Sequence, residues 1–195
     1  MKGRVLIIAG SDPSGGAGIQ ADIKTVTALG GYAATAITAI TVQNTRGVTG
    51  VHPVAPEVIA AQIDAVMSDI GADAIKIGMI GDVETAKVIE RALNAAKGVP
   101  VILDPVLIAT SGDALAADGV AAFIQGRLVP LAAIVTPNTD EAAALCGFAV
   151  DGREAAITST TGQALVEGRK QTASMVPYSL CLKEGMCLAM KSWIY

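Results

Sequence analysis

Polar side chains and glycines gather at a few points of an otherwise apolar chain, and their types suit the handling of a small ring and of phosphate. Gln43 follows the apolar stretch Ala33–Val42. A carboxamide donates and accepts at once, which suits a heteroaromatic edge bearing an amino group and a ring nitrogen, although a capped loop would use it equally well. Asp104 follows Val99–Leu103 and precedes Pro105; it could hold a metal or sit near a phosphate, and Asp-Pro is also a common turn starter. Asn138 and Glu141 stand three apart after Ala132–Val135. That spacing makes a helix capping box, which accounts for the pair by itself, or an Asn-x-x-Glu pair arranging Mg²⁺ and water around nucleotide phosphates. Met79, after Ala74–Gly78, lines a pocket floor or is plain core. Lys76 is a lone charge in that apolar run and is expected to snorkel.

The longest polar stretch is Gly10-Ser11-Asp12-Pro13-Ser14-Gly15-Gly16-Ala17-Gly18, which leads into a helix. Glycines permit close backbone approach, and the free N–H groups of a helix start favour polar or anionic ligands. No Lys-Ser/Thr follows, so this is not a Walker loop. Gly16-x-Gly18-x-x-Ala21 fits the dinucleotide pattern only loosely, because the glycines lie well past the strand and the next strand ends in Gln43-Asn44 rather than an acid. An ordinary glycine-rich turn is the remaining reading.

The elements that must position these residues follow from periodicity. Short apolar runs predict strands at Arg4–Ala9, Ala33–Val42, Ala74–Gly78, Val99–Leu103 and Ala132–Val135. Helical spacing predicts helices at Ala17–Leu29, Pro56–Ile70, Val83–Ala96, Ala114–Arg127, Thr139–Leu145 and from Thr160 to Glu167. His52 is read as a loop histidine. Strands alternating with helices predict an α/β fold, a mostly parallel sheet with helices on both faces. Ligands of such sheets bind beyond the carboxyl ends of the strands, where Gly10, Gln43, Met79, Asp104, Asn138 and Glu141 fall.

The totals set limits. The chain has 195 residues, enough for one domain, and is 52% hydrophobic but only 3% aromatic, so its core is built from Ala, Val, Ile and Leu. A net charge of −4 argues against a general nucleic-acid surface, and no apolar run reaches membrane-spanning length. The apolar start breaks at Ser11-Asp12-Pro13, too early for a signal peptide, and a cytoplasmic protein is expected. Three cysteines without regular spacing give neither a disulfide frame nor a metal site.

Ala9–Asp22, Val42-Gln43-Asn44-Thr45, Lys76-Ile77-Gly78-Met79, Leu103-Asp104-Pro105-Val106 and Thr136-Pro137-Asn138-x-x-Glu141 together resemble the hydroxymethylpyrimidine / phosphomethylpyrimidine kinase family of thiamine biosynthesis, within the ribokinase-like superfamily. The resemblance covers residues 4 to about 167. It implies ATP-dependent phosphorylation of a pyrimidine hydroxymethyl group, then of the monophosphate, usually by a homodimer. By it Gly10, Asp22, Gln43 and Met79 shape the pyrimidine site, while Asp104, Asn138 and Glu141 lie toward phosphates and Mg²⁺, with Asp104 and Glu141 acting on the metal indirectly. A non-catalytic pyrimidine-binding protein and a pyridoxal-kinase-like enzyme are the alternatives.

The family continues through Lys-Gly-Gly-His to a Gly-Thr-Gly-Cys motif that supplies the anion hole and a proposed base; this sequence has no such motif, so no catalytic residue is assigned. Composition also changes at residue 168: alanine numbers 33 before it and 2 in the 28 residues after, which hold three of the six Met and two of the three Cys. Residues 1–167 are therefore expected to be an incomplete kinase domain and 168–195 an out-of-frame tail. Rebuilding codons across residue junctions forces Gly at Met175-Val176, Val at Met186-Cys187, Glu at Met190-Lys191 and Asp at Trp193-Ile194, and permits Lys-Gly-Gly-His before that Val. A genuine, divergent C-terminus is the other reading.

Overall fold

The computed structural model describes residues 2–107 and 115–148, and the backbone of 179–180. The predicted Thr160–Glu167 helix and the composition break at 168 lie outside them. The elements run β1 (Arg4–Ser11), α1 (Gly18–Ala28), β2 (Tyr32–Asn44), β3 (Gly47–Pro53), α2 (Pro56–Asp69), β4 (Ala74–Ile77), α3 (Val83–Ala95), β5 (Val101–Leu103), α4 (Val120–Phe123), β6 (Ile134–Val135), α5 (Thr139–Cys146) and β7 (Ser179–Leu180). One seven-stranded sheet has the order β3-β2-β1-β4-β5-β6-β7. All neighbours pair in parallel except β2 and β3, which form an antiparallel hairpin.

The central strands are buried on both faces, which is why they read as unbroken apolar runs. Along β1, Leu6 and Ile8 join a core with Ile59 and Ile63 of α2, Ile89 and Leu93 of α3 and Val120 of α4. Ile7 and Ala9 point the other way and pack with Ile19 of α1. Period-two alternation thus divides one strand between two helical layers, and the α/β fold with helices on both faces is observed.

Four expectations are corrected. The hairpin strand β3 has weak alternation and two glycines, and its periodicity did not declare it; His52, read as a loop residue, sits in it opposite Ile40. The helix expected over Ala114–Arg127 starts only at Val120, because Gly119 takes φ 82°, a left-handed conformation outside any helix. It continues as a π-helical turn over Ile124–Leu128 and a 3-10 turn over Val129–Leu131. Strand β5 begins at Val101 rather than Val99, since Pro100 has no N–H to give a ladder. Gly10 and Ser11 belong to β1, with an irregular register between Ala9 and Ser11, rather than to the loop beyond it.

Candidate active site at the carboxyl edge of the sheet

The parallel strands end on one edge, and the candidate residues follow it in sheet order: Gln43 on β2, Gly10 on β1, Lys76 and Met79 at β4, Asp104 after β5, and Asn138 and Glu141 after β6. From β2 to β6 is four interstrand steps, roughly 19 Å.

The glycine-rich loop is folded around a carboxylate of its own. Asp12, 3% exposed, accepts from the Ser14 N–H, the Ser14 hydroxyl and the Ala17 N–H, each at 2.8 Å. Gly15 donates its N–H to the Asp12 carbonyl at 3.0 Å. Burial raises the Asp12 carboxyl, but the bonds from the Ser14 hydroxyl and from the Ser14, Ala17 and Gly16 N–H groups outweigh it, and the net shift is downward. The N–H groups of Ser14, Gly15 and Ala17 are thus turned inward onto Asp12, while α1 begins at Gly18 with no side chain capping it. Gly18 must be glycine: its φ is +57°, and a Cβ there would collide with the Gly10 carbonyl oxygen.

Hydroxyl groups tie this loop to its neighbours. Gln20 donates to the Ser11 Oγ at 2.7 Å and accepts from the Asp12 N–H at 2.8 Å. Thr41 Oγ1 lies 2.9 Å from the Ser11 carbonyl oxygen and 3.1 Å from the end of the Gln43 carboxamide. Thr38, 1% exposed, donates to the Met79 carbonyl at 2.7 Å. A Cβ on Gly10 would stand 3.1 Å from Met79 Sδ. Gly10, Met79 and the Ser11–Thr41–Gln43 contact thus converge around the ends of β1, β2 and β4.

A charged group adjoins them. The β1–β4 register sets Lys76 beside Ile7, on the face covered by α1, so Lys76 Nζ meets Asp22 Oδ2 of α1 at 2.7 Å. Asp104 lies two residues beyond Ile102, the β5 partner of Lys76, and its Oδ2 is 3.9 Å from the same ammonium. The three side chains are 20–23% exposed, so the charges reach solvent. A Cβ at Gly78 would lie 3.0 Å from Lys76 Nζ, so this glycine leaves the lysine its path.

Asn138 and Glu141 form the capping box their spacing allows. Asn138 Oδ1 accepts from the Glu141 N–H and Glu141 Oε2 from the Asn138 N–H, both at 2.8 Å. Glu141 is 2% exposed. Among the described residues no three His, Cys, Asp or Glu side chains cluster to hold a metal. Burial raises the Cys146 thiol, which disfavours the nucleophilic thiolate. No helix among the described residues is long and apolar enough to cross a membrane.

The phosphomethylpyrimidine kinase family profile matches residues 12–176. The chain belongs to the phosphomethylpyrimidine kinase family. A hydroxymethylpyrimidine/phosphomethylpyrimidine kinase of Rhizobium meliloti is 56% identical over 151 residues, 77% of this chain and 56% of that protein. A crystal structure of phosphomethylpyrimidine kinase from Clostridium difficile superposes with a TM-score of 0.77 at 39% identity, covering 85% of this chain and 71% of that one. The pyridoxal kinase of Staphylococcus aureus in complex with ADP does so with a TM-score of 0.74 at 34% identity, covering 85% and 59%. The chain spans about half the length of the curated relatives it matches.

Within this family member, the structure brings Gly10 together with Met79, and Asp22 together with Asp104 through Lys76. Gln43 joins the first group through Thr41. Asn138 and Glu141 stand apart, at the next strand end. Sequence reasoning missed Asp12, Thr38, Thr41 and the role of Lys76. Lys76 had a usable signal, since Ile75 and Ile77 claim one core and the residue between them must face the other layer. Asp12 had one too, because Asp-Pro-Ser-Gly is an Asx-turn sequence.

Proposed function

We propose that the chain binds an aminopyrimidine bearing a hydroxymethyl group, with Gln43 on the ring edge, Met79 and Gly10 against the ring, and the Asp22–Lys76–Asp104 group beside the hydroxymethyl substituent. In the whole protein this site serves ATP-dependent phosphorylation of 4-amino-5-hydroxymethyl-2-methylpyrimidine and then of its monophosphate in thiamine biosynthesis, in the cytoplasm and as a homodimer. The observation that carries the reading is the convergence of Gly10, Met79 and Gln43 beside an ammonium set between two carboxylates.

The chain's own residues divide the work. Lys76 offsets the carboxylates of Asp22 and Asp104, so that a polyanion approaching this edge meets less repulsion. Asp104 and Glu141 would act on Mg²⁺ indirectly, through water and the nucleotide phosphates, and Glu141 also caps α5. When bound, Mg²⁺ supplies charge neutralisation to the phosphates. Residues 168–195 are proposed to be the family's next segment read out of frame, and resequencing from the codon of Thr160 onward checks this.

Calorimetry with the pyrimidine, followed by an ADP-release assay with MgATP, tests the function. Pyrimidine binding with ADP release supports the kinase. Binding without release leaves a pyrimidine-binding protein that lacks the anion-hole motif. Failure to bind the pyrimidine, with pyridoxal bound instead, moves the chain to the pyridoxal side of the superfamily.

A further inference from the structure

We propose that Thr41 is a positioning residue that fixes which end of the Gln43 carboxamide faces the site, so that the site presents a carbonyl oxygen and selects a ring carrying an N–H donor there. The selection half of this rests on the pyrimidine reading above; the orientation half does not.

The argument is one of proton supply. Thr41 Oγ1 has two polar neighbours, the Ser11 carbonyl oxygen at 2.9 Å and one end of the Gln43 carboxamide at 3.1 Å. A hydroxyl carries one proton. The Ser11 carbonyl can only accept, so the proton goes to it. Thr41 then turns lone pairs toward Gln43, and two oxygens at that separation without a proton between them repel. The two ends of a carboxamide have the same shape, and their assignment follows from the bonding network. Placing Nε2 against Thr41 satisfies both contacts: Gln43 donates to Thr41 Oγ1, and Thr41 donates to the Ser11 carbonyl. At 6% exposure, Thr41 has little water to supply a substitute proton.

The Ser11 end of the relay is itself anchored. Its side chain accepts from Gln20 Nε2 at 2.7 Å, and the next N–H, of Asp12, donates to Gln20 Oε1 at 2.8 Å. Order passes from Gln20 through Ser11 and Thr41 to Gln43. With Nε2 engaged, Oε1 becomes the outward atom, and an acceptor there rewards an exocyclic amino group and repels an oxo group.

The first test needs no ligand. In the full chain with ¹⁵N-labelled glutamine side chains, a Gln43 Nε2 proton should show a nuclear Overhauser effect to the Thr41 β or γ protons. Gln43 amide protons that exchange freely and show no such contact would overturn the proposal. The second test compares, by calorimetry, 4-amino-5-hydroxymethyl-2-methylpyrimidine with the analogue bearing an oxo group in place of the amino group. The wild type should prefer the amino compound by about tenfold or more, Thr41→Ser should keep the preference, and Thr41→Val should lose most of it. A Thr41→Val variant that binds and discriminates like the wild type refutes the lock. A wild type that shows the Overhauser contact but binds neither compound sinks the pyrimidine reading and leaves the orientation of Gln43 standing. Should Thr41→Val fail to fold, Thr41→Ser and the wild-type contact still decide the question.

Discussion

Replacing Asp12 with Ala removes the carboxylate around which the glycine-rich loop is folded. Three hydrogen bonds at 2.8 Å end on it. Bonds to an ionised acceptor contribute about 1.5–3 kcal/mol each, so roughly 5–9 kcal/mol would be lost if no donor found another partner. Ser14 and Ala17 are exposed, however, and water can take up their donors once the loop opens. The surviving cost is therefore about 2–3 kcal/mol, which lowers the urea midpoint by about 1 M for a slope near 2 kcal/mol/M. Asp12→Asn should recover part of it, since the carbonyl end still accepts from Ser14 while the NH₂ end meets the Ala17 N–H. Acid titration separates charge from shape. The Asp12 carboxyl is lowered in the folded chain, so its stabilisation is present above the unfolded carboxyl value and lost as pH falls through the lower folded one. The gap between wild type and Asp12→Asn should hold constant from about pH 8 to pH 5 and close below about pH 4. A gap that persists unchanged to about pH 3, or an Asp12→Ala midpoint within about 0.2 M of wild type, would refute the assignment of Asp12 as the loop's organiser.

Other substitutions test the rest of the edge. Gly18→Ala should cost about 2 kcal/mol or more by chemical denaturation, from a positive φ and a collision with backbone, whereas Gly10→Ala should cost under about 1 kcal/mol because the Met79 thioether can move aside, yet still weaken pyrimidine binding in calorimetry. Thr38→Val strands the buried Met79 carbonyl and should cost about 1–3 kcal/mol in the same assay. Lys76→Met leaves Asp22 facing Asp104 without their shared ammonium, costing about 2 kcal/mol. Adding Asp22→Asn should restore much of that stability without restoring affinity for nucleotide.

The fold was legible where burial is symmetric. Strands β1, β4 and β5 and helices α2 and α3 each carry an apolar pattern that admits one reading, and Pro56 marks the start of α2. The hairpin was not legible, because β3 draws its order from pairing with β2 rather than from its own alternation. The site was legible as positions, since strand ends are punctuated by polar residues in an apolar chain. Its working connections were not. That Lys76 serves Asp22 depends on strand register across 54 residues of sequence, and that Asp12 consumes the loop's own N–H groups depends on backbone turns. Neither is encoded in residue type.

The strand order has a consequence for synthesis on the ribosome. Reading β3-β2-β1-β4-β5-β6-β7 along the sheet, the hairpin closes one side first, and every later strand joins the other side in the order it leaves the exit tunnel. The nascent sheet thus grows at a single front, each arriving strand covering the edge its predecessor left open. The strands that carry Gly10, Gln43 and Lys76 have therefore all left the tunnel before Asp104 emerges. A pause with β4 just clear of the exit tunnel exposes β4 as the growing edge, and one with β5 just clear of it exposes β5. The hazard of misassociation therefore moves along the message with the ribosome.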